Sequence, residues 1–440
     1  MPGLLATVRD RFSLIPDSRR QASVQHSMSD TLSSALAMFV LKYPSLLMFD
    51  QDARAERTLI CHNLLTLFEV SRVPCDTQMR TILDPVKPEQ LRPTFRALHS
   101  AAQRGGALEQ FTWLDGKYLL SIDGTGTFSS TQVHCKHCCE KKAKSTQSDK
   151  DGPEFYHQML VSAIVHPDSK AALPVDFEPI TRKDGANKND SERNAGKRLI
   201  PSIKAQYPKR RFVVLEDALA ANGPHLELLA KHEMDFIIGV KPGSNAAVFD
   251  EVARRMSQGG CTEWEEDSPS ANTSRGYRFT NQMPLNASHP DLMVNFIEYW
   301  QVDKRGKQTI WSWVTNLTLN THNALEIVQA GRTRWKIENE VFNTLKNQSY
   351  RFEHNYGHGT QYLSSVLGGL MLLAFLIDQL QQIACRLFQR ALERWKSKKS
   401  AWEKYRAIFF EFRVPDWDTL MDVWAIPQQG PELISVRRKT

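Results

Sequence analysis

Two acids follow short apolar runs in this sequence. Asp123 comes directly after the run 118–122, and Asp217 closes the run that begins at 212. Both runs are predicted to be buried strands, and open α/β sheets place their sites at the carboxyl ends of their strands. Each acid could equally do no more than begin a turn, a common position for Asp. Either acid alone is therefore weak evidence for a site.

A third acid, Glu338, lies in a predicted helix over 334–346. At about 100° per residue, Glu338 falls inside the apolar arc of this helix and Glu340 falls on the opposite face. The arc is formed by Trp335, Ile337, Val341, Phe342 and Leu345. A carboxylate on a core-facing side is costly unless it is paired or binds a metal. The alternative is an ion pair with Arg334, one turn earlier.

Together, Asp123, Asp217 and Glu338 are suited to Mg²⁺ or Mn²⁺, because hard divalent cations take oxygen ligands. Two such ions about 3.5–4 Å apart activate a water or 3′-hydroxyl and stabilise the leaving oxygen of a phosphodiester. The three acids therefore predict a metal-dependent site for phosphodiester chemistry.

The elements that must position these acids are predicted from periodicity and turn residues. Strands are expected over 118–123, 159–165, 171–175, 212–217 and 236–240. Helices are expected over 190–205 and 224–231, and a long helix over 323–347. Alternating strands and helices indicate an α/β domain with one mixed sheet.

Changes in predicted secondary structure and in charge divide the chain into five parts. Residues 1–112 are predicted to be helical, with Ser29 and Asp30 capping one helix, and their position alone assigns them to DNA binding. Residues 113–240 are the first part of the core. A β-rich insertion is expected over 241–320. The catalytic helix and an apolar helix follow over 321–380, and 381–440 form a basic tail.

Composition places the protein in a reducing compartment and near an acidic partner. The 440 residues carry a net charge of +7, and the segment 386–413 alone has nine Lys/Arg against three Asp/Glu. The odd number of cysteines, seven, and a charged amino-terminal segment without a signal peptide predict a reduced, cytoplasmic protein, and the family resemblance given below implies association with the nucleoid. The apolar stretch 362–377 is shorter than a membrane span, so we expect a buried helix and no membrane partner.

The stretches around the three acids resemble the DDE transposases of bacterial insertion sequences, most closely the group labelled ISNCY. The matching stretches are Ser-Ile-Asp-Gly-Thr-Gly at 121–126, Leu-Glu-Asp-Ala-Leu at 215–219 and Arg-Trp-Lys-Ile-Glu at 334–338. Similarity also extends through 156–157, 164–167, 188–190 and 240–243. Two positions depart from the pattern: Gly331 replaces a frequent Tyr, and the Lys expected at Leu345 stands one position later, at Lys346.

This resemblance implies an α/β fold with an RNase H-like mixed-sheet core, a β-rich insertion and helical terminal regions. It implies that Asp123, Asp217 and Glu338 are the catalytic, metal-binding triad, with Mg²⁺ or Mn²⁺ as the cofactor. The expected partner is double-stranded DNA, both the element's terminal repeats and the target, bound by a homodimer on paired ends. Glu340 remains the weaker candidate for the third acid.

Basic residues beside the third acid are candidates for contacts with DNA. Arg334 and Lys346 lie in or beside the apolar arc and are preferred, because guanidinium forks and ammonium groups bind phosphate oxygens. Arg332 is a further candidate, although a solvated charged face explains it equally well. The mixed basic and aromatic residues of the tail predict non-specific DNA contact, with a merely solvated helix as the alternative.

A cysteine cluster stands apart from the acids. Cys135 and Cys138 form a Cys-x-x-Cys pair with His134 and His137 beside them, a composition that suits zinc. No second matched pair follows at the usual spacing, so zinc is the lesser alternative and cysteines in a solvent-facing loop are preferred. His358, in a Gly-bearing loop, is assigned to an ordinary turn.

The predicted function is a DDE transposase that cleaves DNA at element ends and joins it to target DNA. One alternative is an RNase H-like nuclease without strand transfer. The other is a non-catalytic DNA-binding protein derived from a transposase. No Gly-x-Gly-x-x-Gly or Gly-x-x-x-x-Gly-Lys fingerprint occurs, so no nucleotide cofactor is expected.

Overall fold

The computed structural model describes residues 2–426, apart from positions 21, 23 and 56 and the segments 142–152, 183–190 and 269–272. The stretch 188–190 of the family resemblance and the end of the predicted tail, 427–440, therefore lie outside the described residues. The helices are α1 (Pro2–Phe12), α2 (Met28–Val40), α3 (Leu46–Ala55), α4 (Arg57–Phe68), α5 (Asp76–Leu83), α6 (Arg92–Arg104), α7 (Glu192–Gln206), α8 (Gly223–Lys231), α9 (Ala246–Ser257), α10 (Ala324–Thr333), α11 (Asn343–Asn347), α12 (Leu363–Ala384), α13 (Arg386–Trp395), α14 (Lys398–Glu411) and α15 (Trp417–Ala425). The strands are β1 (Thr112–Trp113), β2 (Lys117–Ser130), β3 (Cys139–Lys141), β4 (Glu154–Val165), β5 (Leu173–Ile180), β6 (Phe212–Glu216), β7 (Asp235–Gly239), β8 (Thr262–Ser268), β9 (Thr273–Asn286), β10 (His289–Val302) and β11 (Gln308–Thr315).

The core is one mixed sheet. β4 pairs antiparallel with β2 on one side and with β5 on the other. β6 pairs parallel with both β2 and β7. The order β5-β4-β2-β6-β7, with α7 and α8 in the crossovers, is the mixed sheet of an RNase H-like core, so the predicted α/β fold class is confirmed.

The segment 241–320 extends this sheet. It begins with α9 and continues into β8–β11, and β11 pairs antiparallel with β7 at the edge of the core. Trp300 and Trp313 are buried, and Trp264 stacks on Tyr277 with ring centroids 4.7 Å apart. These indoles therefore hold the strands together, as large apolar side chains do in β-structure.

The helices of both chain ends pack together. α2 is buried along nearly its whole length, and its cap is Ser27, whose hydroxyl accepts the Asp30 N–H, rather than the predicted cap at 29–30. Asn63 on α4 donates hydrogen bonds to the carbonyl of Phe409 on α14 and to that of Phe412, directly after this helix. The helices α4 and α14 are therefore joined across the sequence.

The described part of the predicted basic tail forms a folded helical unit. α13, α14 and α15 enclose an aromatic cluster in which the Trp402 and Trp424 rings stack 5.7 Å apart. The predicted aromatic contacts with DNA from Trp402 are excluded by this burial. The exposed basic side chains of this unit are Arg386, Arg390, Lys396, Lys399, Lys404 and Arg413.

α12 is the central buried helix. It runs for 22 residues, six more than the predicted apolar stretch, and is long and apolar enough to cross a membrane. In this fold 94% of its most apolar part is buried inside the protein, against α2, α6 and β5. Its hydrophobicity is therefore explained by its place in the core.

Candidate active site

Asp123 and Asp217 lie at the same level of the sheet. The parallel register pairs Ser121 of β2 with Leu215 of β6, so each acid comes two residues after this pair. Asp123 does not end its strand as predicted, because β2 continues to Ser130 along β4. The site is therefore at the carboxyl end of β6 and beside the middle of β2.

Glu338 reaches Asp123 through Arg334. The Arg334 guanidinium lies 3.3 Å from Asp123 Oδ2 and 2.7 Å from Glu338 Oε1. Burial and the adjacent Glu338 carboxyl group raise the pKa of Asp123 to about 7, against the lowering effect of Arg334. The two carboxyl groups therefore form a close pair of like charges that needs a cation to neutralise it.

The segment that carries Glu338 is anchored to the sheet on both sides. Ser121 donates its hydroxyl hydrogen to the Arg334 carbonyl at 3.0 Å. The Lys336 ammonium group donates to three backbone carbonyls of the loop after β4, those of His166, Pro167 and Ser169. Lys336 is therefore a structural residue at this site, and its position is fixed by the loop.

The long helix predicted over 323–347 is interrupted. α10 ends at Thr333, a turn follows, and Ile337–Phe342 is π-helical before α11 begins. The turn at 334–335 and the wider hydrogen bonding of the π-helix both change the angular step, so Trp335 and Glu338 do not face the core as predicted. Trp335 is 58% exposed, and the Glu338 side chain is 47% exposed.

Glu340, the weaker candidate for the third acid, faces other cations. Its carboxylate interacts electrostatically with Lys336 and Lys398. Glu338, by contrast, contacts the same Arg334 that contacts Asp123. This geometry favours Glu338 over Glu340.

A fourth carboxylate, Glu192, lies beside the site and was not predicted. It is in the first turn of α7, and its Oε1 accepts a hydrogen bond from Gln158 on β4 at 2.8 Å. A Cβ added at Gly124 would come within 2.1 Å of that oxygen, which places Glu192 against the residue after Asp123. Burial and the nearby Asp217 raise the pKa of Glu192. No feature of the sequence distinguishes this Glu from an ordinary helix-starting acid.

A cleft of about 690 Å³ opens next to Asp217. Its walls include Lys241, Arg332 and Trp335, and the Arg332 guanidinium lies 4.6 Å from the centre of the Trp311 ring. This combination of basic and aromatic groups suits a nucleic-acid backbone with unstacked bases.

The predicted DNA-contact residues are distributed around the acids. Arg332 lines the cleft and is exposed, whereas Arg334 is held between Asp123 and Glu338. Lys346 lies on α11 and pairs with Glu353 at 2.8 Å. Arg332 and Arg334 both line the cleft, and Lys346 does not, among the residues that the structure describes.

The acids have the donor chemistry that a hard divalent cation requires. The carboxyl groups of Asp123 and Glu338 lie close together, and the Arg334 guanidinium contacts both of them. Asp217 is exposed, and its Oδ1 accepts the Leu219 N–H at 3.0 Å, which fixes the carboxylate at the end of β6. Asp123 and Glu338 therefore offer the oxygen ligands that Mg²⁺ or Mn²⁺ prefers, and among the described residues Asp217 does not lie close enough to form a group of three ligands with them.

The cysteine pair is not in a solvent-facing loop. Cys138 is buried, and both Cys135 and Cys138 lie against His157 of β4 and His358 of the loop before α12. His137, which was considered beside them, points elsewhere and contacts the Thr360 carbonyl at 3.2 Å.

Comparisons with known proteins concern most of the chain. The family model described as "Transposase DDE domain" matches residues 116–376, which contain all three acids. Among solved structures, the chain is similar to one in the cryo-EM structure of a piggyBac transposase synaptic complex with hairpin DNA. That match has 10% identity and a TM-score of 0.40, and covers 98% of this chain and 80% of the other. No curated protein matches.

Proposed function

The chain belongs to the transposase DDE domain family, and from this membership we propose that its acids cleave DNA at the ends of an element and join those ends to target DNA. The observation that carries the proposal is the contact between Asp123 and Glu338 across Arg334. Asp123 and Arg334, 211 positions apart, are brought together there at the end of a buried sheet, where an isolated pair of acids would be unfavourable.

Asp123, Asp217 and Glu338 would hold the divalent metal. When bound, Mg²⁺ or Mn²⁺ supplies charge that activates the attacking oxygen and stabilises the leaving oxygen of the phosphodiester. Arg334 pairs with both Asp123 and Glu338 in the protein alone, and its guanidinium would bind DNA phosphates beside them.

The cleft beside Asp217 is the proposed path of the DNA. Arg332 and Lys241 present positive charge along it, and Trp335 presents an exposed indole face. We assign the helical region 1–112 and the exposed basic residues of α13 and α14 to further DNA contacts. The expected assembly is a homodimer on paired ends.

The test is excision and reinsertion of a marker flanked by the DNA that borders this gene. Wild-type protein is expected to move the marker, Asp123→Asn to fail, and the control Asp250→Asn, an exposed acid on α9, to behave like wild type. DNA nicking without joined products would support a nuclease instead. Binding without cleavage under both Mg²⁺ and Mn²⁺ would support a non-catalytic DNA-binding protein.

A further inference from the structure

A compact group of four soft and borderline ligands lies away from the acids. The group consists of Cys135, Cys138, His157 and His358, and one donor atom from each lies within 4.8 Å of all the others. Cys138 and His157 are buried, and the cysteines are free thiols rather than a disulfide. Two thiols and two imidazoles in one buried cluster are a ligand set typical of zinc.

The distances between the donor atoms are those of a tetrahedron around one ion. Zn–S bonds of about 2.3 Å and Zn–N bonds of about 2.0–2.1 Å require edges of roughly 3.8 Å between sulfurs, 3.5 Å from sulfur to nitrogen and 3.3 Å between nitrogens. The Sγ atoms of Cys135 and Cys138 are 3.7 Å apart. His157 Nε2 lies 3.4 and 3.3 Å from these sulfurs. His358 Nδ1 lies 3.8 Å from Cys138 Sγ and 3.0 Å from His157 Nε2.

Each ligand is held in place by surrounding structure. The cysteines flank a tight turn in which the Cys138 N–H donates to the Cys135 carbonyl and the Cys135 N–H donates to Cys138 Sγ at 3.3 Å. N–H groups directed at a sulfur stabilise its thiolate form. His157 stands in the middle of the sheet, where β4 pairs with Phe128 of β2.

The loop that supplies His358 is also fixed. Gly357 and Gly359 on either side have φ angles of +126° and +64°, which favour glycine and turn the chain around the imidazole. After the loop, Asp84 accepts hydrogen bonds from the N–H groups of Thr360, Gln361 and Leu363. His358 is therefore directed to the cysteines by a preorganised loop.

We propose that Cys135, Cys138, His157 and His358 bind one zinc ion in a closed structural site. All four positions of a tetrahedron are taken by protein ligands, which leaves no coordination position for a substrate. Phe128, opposite His157, is five residues along β2 from Asp123, about 16 Å at roughly 3.3 Å per residue. The zinc site is therefore separate from the site for DNA chemistry, and it clamps the loop before α12 onto the sheet.

The experiment measures zinc in the purified full-length chain after exposure to Zn²⁺ and removal of free metal. Wild-type protein is expected to hold about one zinc per chain, and the double variant Cys135→Ser, Cys138→Ser and the variant His358→Ala to hold under about a tenth of that amount. Cys139→Ser and His137→Ala are matched controls, since both residues lie in the same segment but outside the ligand group, and they should keep the zinc. A wild-type chain without zinc, or ligand variants that retain it, would overturn the proposal.

A second measurement on wild-type protein does not depend on folding of the variants. Co²⁺ in place of Zn²⁺ should give the intense visible absorption of a tetrahedral ion with thiolate ligands, and chelation should lower the melting temperature. Zn²⁺ should restore that temperature and Mg²⁺ should not. An octahedral Co²⁺ spectrum, or a melting temperature unchanged by chelation, would contradict a structural zinc. Neither readout requires DNA cleavage, so the zinc proposal and the proposed transposition can fail independently.

Discussion

At the residue scale, the identity of the third acid is decided by which carboxylate faces Asp123. Glu338 shares Arg334 with Asp123, whereas Glu340 faces Lys336 and Lys398. Glu338→Gln should therefore lower DNA cleavage by roughly two orders of magnitude or more, as removal of a group that stabilises the transition state does. Glu340→Gln is the matched control and should retain most activity. A cleavage assay on DNA that contains the element ends measures the activity of both variants. Loss of cleavage with Glu340→Gln but not with Glu338→Gln would make Glu340 the third acid.

The Glu192 side chain limits the space around Gly124, which is next to Asp123. A Cβ at this position would meet Glu192 Oε1 at 2.1 Å, but that atom is the end of a flexible side chain that can rotate away. A Cβ at Gly276 would instead meet the buried Trp300 ring at 2.1 Å. We expect Gly276→Ala to lower the free energy of unfolding by about 1–3 kcal/mol and Gly124→Ala to lower it by less than about 1 kcal/mol.

Urea denaturation gives both free energies of unfolding, and a DNA cleavage assay follows the displacement of Glu192. A Gly124→Ala variant with wild-type cleavage would show that Glu192 has no part in the site. Equal stability losses in the two variants would contradict the packing argument.

At the element scale, Lys336 fastens the π-helical segment to the loop after β4. Its ammonium group donates to three half-buried backbone carbonyls, of which that of His166 also accepts the Ser169 N–H. Loss of these hydrogen bonds from a charged group should lower the free energy of unfolding by about 1–3 kcal/mol in a Lys336→Met variant. Urea unfolding should show this loss, while Arg332→Met, a change of the same type at an exposed position, should stay within about 0.5 kcal/mol of wild type. A smaller loss of unfolding free energy for Lys336→Met than for Arg332→Met would show that Lys336 does not anchor this segment.

At the scale of the whole molecule, a buried ion pair joins the amino-terminal helices to α12. Lys42 Nζ lies 2.6 Å from Asp378 Oδ2, and both side chains are almost fully buried. The Tyr350 hydroxyl donates to the same carboxylate, and the Lys42 ammonium lies 4.4 Å from the centre of a Trp402 ring. The pair therefore connects four distant parts of the chain.

Removal of one partner should leave an uncompensated charge in the core. Lys42→Met is expected to lower the free energy of unfolding by about 3–5 kcal/mol, and the double variant Lys42→Met, Asp378→Leu should recover much of that loss. Chemical denaturation of both variants measures the difference. A double variant as unstable as the single one would mean that packing, not charge, dominates.

His99 makes the stability of the whole fold depend on pH. Burial, together with the nearby Arg210, lowers the pKa of His99 to about 3, and the Tyr207 ring packs edge-on against its imidazole. In the unfolded chain His99 binds a proton near pH 6.5, whereas in the folded chain it stays neutral down to about pH 3. The free energy of unfolding therefore falls as pH drops from about 6.5 toward 3, by about 1.4 kcal/mol per pH unit. His99→Gln lacks this proton and should lose roughly 2 kcal/mol less than wild type between pH 6.5 and 5, measured by urea unfolding. An identical pH profile for both proteins would show that His99 is not the source.

The short apolar runs of the sequence determine the core strands and helices, because burial on both faces of a parallel sheet demands continuous apolar segments. The predicted strands at 159–165, 212–217 and 236–240 and the helices at 190–205 and 224–231 all have counterparts in the fold. The same local logic places two acids next to apolar runs and a third in a helical segment, which is enough to identify the family resemblance.

Tertiary structure alone decided which distant side chains meet. Cys138 and His358 are 220 residues apart in the chain and Asp123 and Arg334 are 211 apart, and no periodicity in one sequence encodes such pairs. The turn that exposes Trp335 and the π-helical segment after it lie where Ser121 and the loop after β4 hold the chain, contacts that no local sequence pattern shows. The sequence indicated zinc at Cys135 and Cys138 only as the lesser alternative, because the two histidines of the set come from a strand and a loop that only the tertiary structure brings to the cysteines.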